Sequence, residues 1–198
     1  MRQAALAALL AVSCSAGGIS PQPRDVALKQ AEALGLSTCS SSGTIEQTLV
    51  RLKHSDAASY DSTNQEWANL KEAGATGGYF AIFSNDPQAC ATFSPGSSAS
   101  PSREIGNVVV QFKDSDAAGK AYTGGALGVD PGQATAAGGL SGAKTGLGKN
   151  SVRAFVTLNS AQIYLAYWQH GRWLAYVFAV GLTQAEGDRV SKAVDARL

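Results

Sequence analysis

The sequence predicts an α+β domain: an antiparallel sheet of about five strands, ending in a C-terminal three-stranded meander, with helices packed on the sheet. Three observations lead there. Apolar residues recur at every second position through residues 152–158, 163–168 and 173–180, which is the period of a strand. Residues 77–83 and 107–112 are short runs rich in aromatic and β-branched side chains. Stretches rich in Ala, Leu, Lys and Glu, bounded by cap signatures, stand between and around these runs.

Taken in order, Pro21 and Pro23 lead into residues 25–34, where the composition favours a helix and Gly35 stands at the C-terminal cap position. Thr44 and Gln47 have the spacing of a capping box, so a short helix or an extended segment runs through Leu52. Residues 62–73 read as a helix with Trp67 and Leu70 on one side and Gly74 as its stop. After strand 77–83, Asn85, Asp86 and Pro87 supply a cap and a first-turn proline for a short helix over residues 88–93. Residues 94–102 form a Ser/Pro/Gly loop. After strand 107–112, Asp114 caps a helix carrying Ala117, Ala118, Ala121 and Tyr122. Residues 123–150 hold nine glycines and read as a long loop of the kind that is often functional. In the meander, Asn159-Ser160 and residues 169–172 are the turns. The last strand is apolar on both faces, so it is expected at the centre of the sheet. Thr183 and Glu186 open a final helix with Val190, Ala193 and Val194 inward.

Composition narrows the function. The 198 residues carry 16 Lys and Arg against 15 Asp and Glu, so there is no basic excess to neutralise a run of phosphates. A 44% hydrophobic fraction excludes a disordered chain. The N-terminus has the layout of an export signal: Arg2, then an apolar run over residues 4–12, then small residues. Ala11-Val12-Ser13-Cys14 resembles the bacterial lipobox, with Ala11 where Leu is usual. That resemblance implies cleavage before Cys14 and acylation of its side chain; ordinary cleavage after Ala16 is the alternative. Residues 1–13 are then a signal peptide, residues 14–23 a lipidated tether, and residues 24–198 one domain. Removing residues 1–13 takes away only Arg2, so the mature chain carries 15 side chains of each sign. With Cys14 acylated, Cys39 and Cys90 remain as an even pair, and an oxidising compartment favours a bond between them. The spacing of these two Cys with His54 and His170 does not match a zinc pattern, so no metal is expected.

The order of strand, Cys-bearing helix, strand, helix, Gly-rich segment, meander and final helix resembles bacterial exported lipoproteins. It also resembles, more loosely, the PsbP/Mog1-like folds and the extracellular sensor domain of a mycobacterial Ser/Thr kinase. The carrying stretches are Gly78-Tyr79, residues 108–118, residues 147–152 and residues 167–172. The likeness spans about residues 56–198 and transfers no catalytic residue. It implies an accessory or ligand-sensing module.

No residue set for catalysis emerges. His170 sits in a predicted turn and His54 in a polar connection, and no Gly-x-Ser-x-Gly is present. Residues 142–151 depart from a phosphate loop at Ala143 and Asn150. Asp114 and Asp116 read as caps that complement a helix dipole. The expectation is therefore a non-enzymatic envelope lipoprotein without cofactor. Its membrane partner is reached through the lipid, and its ligand is a small apolar molecule or another envelope protein. Tyr164, Trp168 and Tyr176 are expected to line an apolar cleft beside residues 123–150. An interaction or scaffold domain is the alternative, and a flat apolar patch in place of a deep pocket distinguishes it.

Overall fold

The computed structural model describes residues 20–91, 103–158 and 160–198. The predicted signal, Cys14, the first part of the tether and the Ser/Pro/Gly loop lie outside the described residues. In chain order the elements are α1 (Pro23–Val26), β1 (Gly43–Thr44), α2 (Ile45–Ser55), α3 (Ala57–Glu72), β2 (Ala75–Ser84) and α4 (Pro87–Ala91). There follow β3 (Glu104–Phe112), α5 (Ser115–Thr123), α6 (Pro131–Ala136), β4 (Leu140–Ser141), β5 (Ser151–Leu158), β6 (Ala161–His170), β7 (Trp173–Val180) and α7 (Gln184–Asp195). The strands form one antiparallel sheet in the order β1-β2-β3-β7-β6-β5-β4. The α+β class and the terminal meander are as the sequence predicts. The two strands beyond the expected five are β1 and β4, each of two residues and too short to show an alternation.

β7 lies at the centre, between β3 and β6, and its two apolar faces are why. On the front of the sheet Trp173, Ala175, Val177 and Ala179 join Val109, Tyr164 and Trp168 under α7 and the N-terminal segment. On the back, Leu174 joins Val110, Phe112, Val152 and Tyr167 under α3 and α5. The final helix begins where its capping box places it, with the Glu186 amide donating to Thr183 Oγ1 at 3.3 Å and the Thr183 amide donating to Glu186 Oε2 at 2.9 Å. Gly187 faces the Tyr164 ring: a Cβ there would stand 2.3 Å from Tyr164 Cδ2, so only glycine allows α7 this close.

The structure departs from expectation in the N-terminal segment. Residues 25–34 do not form one helix: α1 ends at Val26, the chain is extended at Ala27 and Lys29, and residues 30–32 make a single 3-10 turn, with Val26, Ala27 and Leu28 all buried in the front core. A helix would turn one of three such consecutive residues away from the sheet. Leaving the helix after Val26 buries all three, and the Leu28 amide donates to Asn107 Oδ1 at 2.8 Å. The guanidinium of Arg197 donates to the carbonyls of Val26 and Ala27 and pairs with Glu32, so the two ends of the domain are fastened together. The open choice after Thr44 resolves as helix, with the Gln47 amide donating to Thr44 Oγ1 at 3.2 Å. α3 starts five residues before its expected position because Asp56 accepts the Ser59 amide at 3.1 Å and caps it.

Cys39 and Cys90 are joined in a disulfide with their Cα atoms 5.1 Å apart. It ties the segment before β1 to α4. Among the described residues no helix is long and apolar enough to cross a membrane.

Candidate functional site

The three aromatic residues expected to share a cleft are separated by the sheet. In β6, Tyr164 and Trp168 point to the front and are fully buried. Tyr176 in β7 opposes Tyr167 and points to the back, where it is half-buried. The period of two decides this: residues 164, 166 and 168 share one side, whereas 176 falls with 174 and 178 on the other. Tyr164 Oη donates to Asp188 Oδ1 at 3.1 Å and lies 3.0 Å from Ser191 Oγ, and Trp168 Nε1 donates to Asp195 Oδ1 at 3.0 Å. The polar ends of these two rings are thus used to seat α7. Burial pushes the Tyr176 phenol up to about 12 and the Tyr164 phenol well above the ordinary phenolic range.

Residues 123–150 are not a structureless loop. They contain α6 and β4, and the Asp130 carboxylate caps α6 by accepting the Gly132 amide at 2.7 Å. The stretch over residues 142–151 builds a buried hydroxyl pair instead of a phosphate cradle. Thr145 Oγ1 and Ser151 Oγ are 2.6 Å apart, and the Leu147 amide donates to Thr145 Oγ1 at 3.0 Å.

Two shallow cavities are present among the described residues. One, of about 220 Å³, is lined by Leu147, Gly148, Lys149, Gln169, His170, Gly171 and Asp195. There His170 Nδ1 is 2.9 Å from Asp195 Oδ1, which fixes the imidazole beside the Trp168 indole. That pairing orients a histidine as a base would be oriented, yet no hydroxyl or thiol side chain is among the lining residues. The other cavity, of about 290 Å³, lies between α3 and α5, with Glu66 accepting the Leu127 amide at 2.7 Å beside it. Both are at or below the small end of ligand-pocket volumes. His54 is exposed near the end of α2. Asp114 caps α5 by accepting the Ala117 amide at 2.8 Å, and no group of three metal-ligating side chains occurs among the described residues.

The strongest surface feature is at the other end of the sheet. Four large apolar residues are exposed among the described ones, and three belong to the β4–β5 edge: Leu140, Val156 at 45% and Leu158 at 59%. β4 pairs only with Val152 and Arg153, so Ala154–Leu158 has a strand neighbour on the β6 side alone. No other hydrogen bond reaches the backbone of these five residues among those described. They include no charge and no proline. Natural edge strands are normally blunted by one or the other. On the back of the sheet the same edge continues inward: Val156 opposes Ile163, Ala154 opposes Leu165, and Leu165 opposes Phe178. Ile163, Leu165, Tyr176 and Phe178 are all half-buried, Leu165 and Tyr176 against the back core beside Ala134 of α6, so the part of the apolar strip left uncovered runs inward from Val156 and Leu158.

At the end of β3 beside this strip, Glu104 is buried between Ser84 and Val180, and its Oε1 has no hydrogen-bond partner. Burial, helped by the negative charge of Asp86, raises its carboxyl to about 6. The sequence signalled neither feature. Val156 and Leu158 have the same alternation as the buried residues of β7, and Glu104 lies outside the strand as predicted from residue 107 onward. The one legible signal was the absence of charge between Arg153 and Asn159 at the tip of a hairpin. No family model, curated protein or solved structure matches this chain.

Proposed function

We propose that the chain is a non-enzymatic lipoprotein of the cell envelope, anchored through acylated Cys14, and that its domain is an interaction module. It binds an extended segment of polypeptide along the outer edge of β5. The observation that carries this reading is the coincidence, on one uncharged edge, of unpaired backbone groups with Val156 and Leu158. Added strands take their affinity from main-chain hydrogen bonds and their selectivity from alternate side chains. The apolar strip behind the edge offers places for those side chains. The Cys39–Cys90 bond fits an oxidising compartment outside the cytoplasm.

A photoreactive side chain at position 157, in the lipid-anchored protein in intact cells, tests the reading. Covalent adducts to polypeptide are expected at 157 and not at Ser62 on exposed α3, and Val156→Lys abolishes them. Absence of polypeptide adducts, or adducts indifferent to Val156→Lys, overturns it.

A further inference from the structure

Resting on the reading of β5 as an interaction edge, we infer that the strand it receives is β5 of a second copy. Two sheets then join through antiparallel β5–β5 pairing about a two-fold axis near Thr157. The geometry makes this edge self-complementary. In an antiparallel ladder directly opposed residues share a side of the sheet. With Thr157 opposite itself, Val156 stands opposite Leu158 of the second copy, and Leu158 opposite its Val156. Each of the most exposed apolar residues of the meander thus finds an apolar mate on the back face. The three residues that face their own copies about this axis, 156–158, carry no charge, so the two-fold sets no like charges against each other within the ladder. The mature chain, with 15 side chains of each sign, has no net charge to keep copies apart.

The place where the described chain begins favours the same occupant. Gln111 Nε2 donates to the Pro21 carbonyl at 3.3 Å, and Gln111 belongs to the front side of β3 with Val109. A Cβ on Gly77 would meet the Pro23 ring at 3.3 Å, on that same side. Pro21 and Pro23, where the described chain begins, therefore lie on the front. A two-fold perpendicular to the sheet keeps both fronts on one side, so both tethers reach a single membrane. The apolar strips of the two copies then form one surface facing away from it.

The test uses the full chain carrying Cys14→Ser, in which position 157 can be made the only free thiol. The Thr157→Cys form is expected to yield a covalent dimer with a short bis-maleimide, whereas Ser62→Cys does not. Sedimentation equilibrium should show reversible dimerisation that Val156→Lys weakens by at least about tenfold. Circular dichroism of the Val156→Lys protein, expected unchanged, separates lost pairing from lost folding. A monomer at every concentration, together with no cross-link at 157, overturns the second-copy inference. If that occurs while the photoreactive adducts at 157 persist as another polypeptide, the interaction reading stands with a different partner. If both fail, both fall.

Discussion

β7 and β5 share the period of a strand and differ in how they are covered. β5 alternates Val152, Ala154, Val156 and Leu158 with Ser151, Arg153, Phe155 and Thr157, whereas β7 is apolar on both sides. In β7 every residue but Tyr176 and Phe178 is buried, whereas β5 is buried at Ser151 and Val152 and exposed from Val156 to Leu158. The difference lies in the neighbours. β7 has a full-length strand on each side, α7 in front and α5 behind. β5 has one full-length neighbour and a two-residue β4, and its far half extends past β4. Alternation therefore specifies a strand and its two sides, but coverage is a tertiary property.

This contrast can be broken first at its buried pole. Trp168→Ala removes a fully buried indole and the hydrogen bond from its Nε1–H to Asp195, which among the described residues keeps only His170. A loss of about 3–5 kcal/mol is expected in denaturant unfolding. A loss below about 1 kcal/mol would mean that α7 is not seated by this ring. Replacing Cys39 and Cys90 together by Ala should cost about 2–4 kcal/mol, read in the same way, because it frees the loop between residues 39 and 90 in the unfolded chain.

Glu104 sharpens the comparison by pH. Its carboxyl is raised in the folded state from 4.5 to about 6, so the folded protein holds that proton more tightly than the unfolded chain does. Stability on this account falls as pH rises from about 4.5 to about 6 and then levels. Glu104→Gln should raise the melting temperature above pH 6 by a few degrees, at about 2–4 °C per kcal/mol for a domain of this size. The gain should vanish below pH 4.5, and an equal gain at both pH values would contradict the assignment. The smallest effect belongs at the open pole. Val156→Lys should change the stability of the isolated monomer by no more than about 0.5 kcal/mol, because Val156 is already 45% exposed at the edge of the sheet.

Much of the fold was legible because local rules acted alone. Thr183 with Glu186, and Asp114, cap helices where their spacing placed them, and the capping box of Thr44 with Gln47 opens a helix where the sequence left helix or extended segment open. The meander followed from its period, and the disulfide from counting cysteines against a lipidated Cys14. The errors came where tertiary contacts overrode local preference. The helical composition of residues 25–34 ends in structure at Val26, because Ala27 and Leu28 leave the helix to be buried in the front core, and the glycines of 123–150 serve turns around α6 and β4. The expected aromatic cleft does not form because the period of two divides its three rings between the two sides of the sheet. Tyr164 and Trp168 seat α7, and Tyr176 faces the opposite helices. The open edge could not be read from β5 itself, since it depends on how far β4 extends.

The central claim is that the outer half of β5 is unpaired in the monomer and is filled by a second copy. Hydrogen exchange of the backbone amides, followed at low and high concentration of the Cys14→Ser chain, tests it most directly. The account predicts that the amides of residues 155–158 directed away from β6 exchange freely when dilute and become protected as concentration rises. Those of β7 should be protected throughout, and Val156→Lys should remove the concentration dependence at β5. Amides of residues 155–158 whose protection is the same at every concentration would contradict the account.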